Sequence, residues 1–485
     1  MYRKIKRLMA LVVSGLLMTS LPLTASAESP DELVARTRVL PIESNEIENW
    51  PQGPVVSAES AILMEAETGT ILYAKDIHKQ EYPASTTKIL TTLIAAERCE
   101  LNEEVYFSKR AVFSLPAGSN HIAMNAGDVL SMEQCLNAIL IRSANEVAYA
   151  VAEHIGGSFE GFAEIMNERA KELGCVDSNF VNPNGLPDEN HYTSAYDLAK
   201  IGQAFFDNSM LCDITLTKRL VVEKENGTLI DNNKMELIPG GKHAYPYIVG
   251  CKTGYTSAAR YTLVSCAEKN GLKLICVVMR DENPFVYEDT ISLFDYGFAN
   301  FERVNVSETE TKYNIDHVGL FYQSNSVFGS SGSLLALNDQ DSIILPKTLT
   351  LSDLDSNIIY ETGQANQAAV IEYSYRGHAL GSVALEFQEN TEKKSTFDDP
   401  EAASEEEKNP EKKPAFFFIN VVKILMVLGG IAAAILLFLF LRSIRDNFHF
   451  NFLDGGRRSL SRQRRQEIRQ AKRRSRTRYK KRRWH

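Results

Sequence analysis

The sequence predicts an α+β fold, an antiparallel sheet flanked by helices. Three observations carry the prediction. Strand patterns open the ordered part of the chain, helical patterns fill its middle, and a period of two returns near residue 250. Strands, helices and strands again are the order expected of an antiparallel sheet with helices packed against it.

The elements follow in turn. "SAILMEAETGTILYAKD" (residues 60–76) reads as two strands about a turn at Glu67-Thr68-Gly69. A helix is expected after Pro83-Ala84, because the N–H that proline lacks would have no partner in a first turn. Helical periodicity over residues 145–173 breaks at Gly156-Gly157, and Gly174 is placed to cap its end. "YTSAYDLAKIGQAFF" (192–206) is amphipathic, with Thr193 or Ser194 as its N-cap. "YTLVSCAEKNGLKLICVVM" (261–279) reads as strand, Asn-Gly turn, strand, and "TISLFDYGFANF" (290–301) as a closing helix.

At 485 residues the chain is long enough for about three units. Arg3, Lys4, Lys6 and Arg7 precede an apolar run that ends in Ala25-Ser26-Ala27, so residues 1–27 read as a secretory signal peptide. Residues 28–54 read as a polar, loosely held leader, and 55–302 as the α+β domain. Helical patterns vanish over 303–389, which reads as a small, β-sandwich-like all-β domain. Residues 390–414 have almost no large apolar side chain and read as a disordered linker.

Residues 415–441 read as one transmembrane helix, being apolar over the length a bilayer needs. The tail that follows, 442–485, carries 17 Lys or Arg against 3 acids. The whole chain is −9, so everything before the tail sums to about −23. Cationic flanks stay in the cytoplasm. A cell-membrane protein with one span is expected, its body outside and its C-terminus inside. The tail suits anionic lipid or a cytoplasmic partner, and nucleic acid is not an expected partner. Seven cysteines, an odd number with no C-x-x-C, read mostly as buried thiols. No histidine spacing suggests zinc, so neither a metal nor another cofactor is expected.

Chemistry enters at "YPASTTKILTTLIA" (82–95), where Ser85 and Lys88 share a helix face. A serine hydroxyl is a poor nucleophile until a base takes its proton. Lysine serves as that base only when neutral, and apolar neighbours such as those in "ILTTLIAA" lower its pKa. S-x-x-K alone arises by chance roughly twice in a chain of this length. Two more elements give it weight. Ser143-Ala144-Asn145 precedes the long helix, and Lys252-Thr253-Gly254 opens the later strands. The three in this order form the triplet of class A β-lactamases and penicillin-binding proteins.

"YPASTTKILTTLIA", "RSANEVAYAVAEHI", "NPNGLPDENHYTSAYDLA" and "GCKTGYTSAARYTLVSCA" resemble the D-alanyl-D-alanine carboxypeptidases, low-molecular-mass penicillin-binding proteins of peptidase family S11. The resemblance covers residues 54–301 closely and the β domain more weakly. It implies a β-lactamase/transpeptidase-like fold and release of the terminal D-alanine from peptidoglycan stem peptides. Ser85 would form the acyl-ester, Lys88 would be its base, and Ser143 would relay a proton to the leaving D-alanine. Asn145 would hold the acyl-side amide. The substrate-binding stretch would be Lys252, Thr253, Gly254 and Tyr255, with Lys252 and Thr253 on the terminal carboxylate. Backbone N–H groups of Ser85 and Tyr255 would form the oxyanion hole, and β-lactams would acylate Ser85. His191 would steady the substrate-side loop, or merely cap it.

The sequence departs from the family pattern in two places. Arg260 stands where glycine is frequent, and Tyr287 stands where an arginine often helps bind the carboxylate. Arg260 or Arg280 would replace that arginine, or selection of the carboxylate is weaker. The alternatives are a D,D-endopeptidase or β-lactamase on the same fold, or a wall-binding scaffold with a vestigial site.

Overall fold

The computed structural model describes residues 28–224, 227–310, 335–360, 364 and 366–387. The expected signal peptide, linker, membrane span and basic tail lie outside the described residues. Among those described, no helix is long and apolar enough to cross a membrane.

Helix α1 (Pro30–Thr37) comes first, closed at its start by reciprocal bonds between Ser29 and Glu32. Strands β1 (Ser60–Glu65) and β2 (Ile71–Lys75) form the expected hairpin. A 3₁₀ turn, Ala84–Thr87, leads into α2 (Lys88–Arg98). Then come β3 (Glu104–Tyr106), α3 (Lys109–Phe113), β4 (Val129–Ser131) and α4 (Met132–Arg142). Helices α5 (Asn145–Gly156) and α6 (Phe159–Glu172) meet at Gly157, whose φ of +70° only glycine adopts without strain. Helix α7 (Ala195–Asp207) is capped by Ser194, and α8 (Ser209–Leu216) follows directly. A small hairpin, β5 (Arg219–Lys224) and β6 (Gly227–Asn232), precedes the long strands β7 (Ile248–Thr256), β8 (Arg260–Lys269) and β9 (Leu272–Asp281). Helix α9 (Phe285–Asn300) closes the unit.

The main sheet is antiparallel throughout, in the order β2-β1-β9-β8-β7. Side chains alternate between its faces, as strand geometry requires. Ile62, Met64, Ile275, Val277 and Met279 join the core built with α2 and α4 to α8. Ala61, Leu63, Leu274, Cys276 and Val278 face the other way, onto α9. The sheet is therefore the middle of three layers, which is why β1 is buried at every position. The α+β class is as expected, and the arrangement agrees with the transpeptidase-like fold that the resemblance implies. All seven cysteines are free, and five of them are buried.

Residues 28–54 are not loosely held. Leu33 and Trp50 are buried, and Trp50 donates to Leu72 O at 3.0 Å while its ring packs 5.4 Å from Phe301. Thr37 donates to Ser57 O at 2.6 Å, and the buried Lys75 ammonium donates to Thr37 O, Val56 O and Ala58 O. A polar average over the segment hides two apolar anchors and the backbone carbonyls that accept hydrogen bonds from a buried cation. Burial outweighs composition here.

Beyond α9, β10 (Phe301–Asn305) leads into a short helix, α10 (Val306–Thr309). Strands β11 (Leu335–Leu337), β12 (Ser342–Pro346), β13 (Asp355–Ile359), β14 (Gln367–Tyr375) and β15 (His378–Phe387) follow. They form a four-stranded sheet, β11-β15-β14-β13, and a β10-β12 pair. Val306, Ile343, Ile371, Tyr373 and Val383 fill the core between them.

Candidate active site

Three stretches converge beside edge strand β7. The first is the 3₁₀ turn bearing Ser85. Ala84 has φ +49°, a left-handed conformation that costs an L-residue energy and is held by its surroundings. Thr262 Oγ1 donates to Pro83 O at 2.9 Å, pinning the turn to β8. Gly254 lets β7 come equally close: a Cβ there would lie 2.9 Å from Ser85 N and 2.4 Å from Thr262 Oγ1. On the other side, a Cβ at Gly185 would lie 1.7 Å from Ala84 O. The two glycines are the space in which the Ser85 turn sits.

Lys88 opens α2 and is fully buried. Its Nζ lies 3.0 Å from Ser85 Oγ, 2.7 Å from Asn145 Oδ1 and 2.6 Å from Asn184 O. Burial first, then the positive charge of Lys252, pull its pKa well below the ordinary lysine value, with Glu146 opposing. When it is neutral, the amine has two N–H bonds and one lone pair. The two oxygens that can only accept, Asn145 Oδ1 and Asn184 O, take the N–H bonds, which leaves the lone pair for the Ser85 hydroxyl.

The second stretch is the α4–α5 turn. Ser143 sits there at φ +58°, and Asn145 begins α5. Asn145 Nδ2 donates to Asn120 O at 3.0 Å, so both ends of its amide are fixed before any ligand arrives. The third is β7. Lys252 is buried, its pKa lowered by burial to about 8, and Nζ donates to Thr253 O at 2.8 Å and to Ser143 Oγ at 3.3 Å. Lys252 thus joins the second stretch to the third. A cleft of about 760 Å³ runs along β7, lined by Ser85, Asn145, Thr253, Gly254 and Tyr255 among others. The eight catalytic and substrate-binding candidates, Ser85, Lys88, Ser143, Asn145, Lys252, Thr253, Gly254 and Tyr255, lie at this one place.

Residues 47–283 match the family model for D-alanyl-D-alanine carboxypeptidases, peptidase S11. D-alanyl-D-alanine carboxypeptidase DacB2 of Mycobacterium tuberculosis is 31% identical over 255 residues, 51% of this chain and 84% of that one. The chain belongs to this family. D-alanyl-D-alanine carboxypeptidase DacF of Bacillus subtilis is 32% identical over 254 residues, and the match spans 63% of its length and 50% of this chain. Penicillin-binding protein 5 of Haemophilus influenzae superposes with a TM-score of 0.56 at 25% identity, covering 70% of this chain and 98% of its own.

Against the carboxypeptidase pattern, the two arginines are informative. Arg260 Nη2 pairs with Glu282 at 2.5 Å. Arg280 Nε pairs with Glu59 at 2.7 Å, and its Nη1 donates to Ala258 O. Both candidates to replace the missing arginine are already held by carboxylates. Tyr287 lines the cleft instead, its ring stacked 5.1 Å from His243, which pairs with Glu236.

His191 is buried and neutral, its pKa lowered by burial to about 4. Val181 N donates to Nδ1, and Nε2 lies 2.9 Å from Thr87 Oγ1. With Nδ1 accepting, Nε2 carries the proton and donates. The histidine therefore ties the 181–191 loop to the turn between Ser85 and Lys88.

Sequence reasoning missed Asn120 and Asn184. Both act on the site through backbone carbonyls, which any residue type supplies, so side-chain identity gave little signal. Asn182 accepts from Gly185 N at 2.7 Å and sets the loop that presents Asn184. Its place in "NPNG" was the available clue.

Proposed function

We propose that this protein is a serine D-alanyl-D-alanine carboxypeptidase that removes the terminal D-alanine from peptidoglycan pentapeptide stems, and that β-lactams inhibit it by acylating Ser85. The contacts of Lys88 carry the reading. Its Nζ has Ser85 Oγ on one side and two fixed acceptors on the others, in a fully buried position.

The steps follow from that arrangement. Ser85 Oγ attacks the carbonyl between the last two D-alanines while its proton passes to Lys88. The oxyanion forms beside Ser85 N and Tyr255 N, where each donor is worth about 3 kcal/mol. The proton reaches the departing amine through Ser143, which Lys252 contacts. Water, deprotonated in turn, then cleaves the ester. Lys252 and Thr253 meet the substrate's terminal carboxylate, a cation and a hydroxyl against an anion.

The commitment of Arg260 and Arg280 to Glu282 and Glu59 favours a second activity, D,D-endopeptidase cleavage of cross-links. With no free arginine at the mouth among the described residues, a bulkier residue than D-alanine suits the leaving side. The body is outside the cell, held by the span at 415–441 with the basic tail inside. In the chain, the β-sandwich-like unit at 303–389 and the linker at 390–414 stand between the catalytic domain and that span.

The deciding experiment supplies purified protein with pentapeptide and with cross-linked muropeptide dimer. D-alanine release from the pentapeptide, abolished in Ser85→Ala, supports the carboxypeptidase. Cleavage of the dimer alone replaces it with the endopeptidase. No release from either substrate by folded protein overturns both and leaves the wall-binding scaffold.

A further inference from the structure

Outside the lining of the cleft, three side chains of different types meet. Cys99 is the residue that ends α2, Glu103 stands in the turn before β3, and His154 lies in the last turn of α5. Their potential ligand atoms, one thiol sulfur, one carboxylate oxygen and one imidazole nitrogen, all lie within 4.8 Å of one another. His154 Nε2 is 2.8 Å from Glu103 Oε2. Glu103 is held in place by its surroundings: Glu100 N donates to Oε1 at 2.7 Å, and Met132 N donates to its carbonyl at 2.9 Å.

We propose that Cys99, Glu103 and His154 form a binding site for a zinc-class divalent cation. One sulfur, one nitrogen and one oxygen make up the three-ligand set of an open tetrahedral zinc site, at metal distances of about 2.3, 2.0 and 2.0 Å. Those distances place the ligand atoms roughly 3.3–3.8 Å apart, within reach of side chains already this close. The imidazole and carboxylate are 26% and 37% exposed, which leaves the fourth position open to water.

Binding is a plain exchange. The cation takes the Cys99 sulfur as thiolate, the displaced proton passes to solvent, and no electron is transferred. Without a cation, burial first and then the Glu103 carboxylate favour the protonated Cys99 thiol over the thiolate. A divalent charge between them reverses that relation.

The position gives the site a use. Helix α2 starts with Lys88 and ends at Cys99, and α5 starts with Asn145 and ends just beyond His154. A helix of that length places the cation about 15 Å from the reacting groups. It therefore takes no part in the acyl chemistry. It fastens the distal ends of the two helices whose first residues are joined by the Lys88–Asn145 contact. The separations of 99, 103 and 154 match no familiar spacing, since the ligands come from three elements, and the sequence alone gave no metal.

The test uses the full chain, reduced and in detergent, titrated with Co²⁺ and then Zn²⁺. One equivalent of Co²⁺ should give a thiolate-to-metal charge-transfer band in the near ultraviolet and tetrahedral bands in the visible, and Zn²⁺ should bleach both. The near-ultraviolet band should vanish in Cys99→Ser, and affinity should fall at least tenfold in His154→Gln and Glu103→Gln. Cys175→Ser, altered at the other partly exposed thiol, should keep it. Near-ultraviolet circular dichroism establishes that each variant is folded. A wild-type titration without the charge-transfer band, or a band that survives Cys99→Ser, overturns the proposal. As a second readout, Zn²⁺ should raise the thermal midpoint of the wild type and leave that of Cys99→Ser unchanged; equal shifts in both overturn it as well.

Discussion

Lys88 Nζ and Asn184 O are 2.6 Å apart, and the loop that supplies the carbonyl is held by a buried histidine that also contacts Thr87. Lys88 is therefore positioned from two directions, by its own helix and by a loop almost a hundred residues later. That relationship determines how the site responds to change.

Replacing Lys88 by alanine removes the proton acceptor and leaves Ser85 in place. The rate of acylation by penicillin should fall about 10²–10⁴-fold, the usual contribution of a general base. Stopped-flow or quenched labelling measures it, with circular dichroism as the folding control. Lys88→Arg should be no better, because a guanidinium does not lose its proton.

The pH profile should have two limbs. Lys88 acts when neutral, so kcat/KM rises with pH as the lysine, its pKa depressed by burial, loses its proton. Lys252 serves when charged, so activity falls again as pH passes its value of about 8. Lys252→Arg stays protonated, and its alkaline limb should move upward in the same D-alanine release assay.

Carboxylate recognition should rest on Thr253 and not on Arg260, whose guanidinium is held by Glu282. Thr253→Val should lower kcat/KM for a free-acid peptide by about 10–100-fold, as expected for a lost hydrogen bond to a charge. An amide-ended analogue should be little affected. Arg260→Gln should change the ratio between the two substrates little.

His191 links site geometry to acid stability. Its pKa is lowered from 6.5 in the unfolded chain to about 4 in the fold. Below 6.5 the unfolded chain takes up a proton that the folded chain refuses. Stability is therefore full above pH 6.5 and is lost as pH falls towards 4, by up to about 3 kcal/mol. In denaturant titrations His191→Gln should start less stable at neutral pH and lose less across that window.

The N-terminal segment should behave as part of the domain. Trp50→Ala should cost about 3–5 kcal/mol, the usual loss for a buried aromatic truncated to alanine, and denaturant unfolding measures it. A loosely held leader would give no change.

Much of this was legible in the chain itself. The β1–β2 turn, the break at Gly156-Gly157, the Ser194 cap and the Asn270-Gly271 turn are local features, written in residues next to one another. The three motifs pointed to one site because each stands at an element boundary. What escaped was non-local. Trp50 anchors a polar segment through Leu72 and Phe301, and Thr37 does so through Ser57, all partners distant in sequence. Asn120 and Asn184 contribute carbonyl oxygens, which carry no side-chain signature. The ion pairs that occupy Arg260 and Arg280 depend on the β8–β9 and β1–β9 pairings, which bring Glu282 beside Arg260 and Glu59 beside Arg280, and no spacing reveals that.

The central claim is that Ser85 is a nucleophile activated by Lys88. Mass spectrometry of the intact protein after benzylpenicillin, followed by peptide mapping, tests it most directly. One penicilloyl adduct per chain is expected, on the peptide containing Ser85, absent in Ser85→Ala and formed far more slowly in Lys88→Ala. An adduct on another residue, or one that forms at the wild-type rate without Lys88, would contradict it.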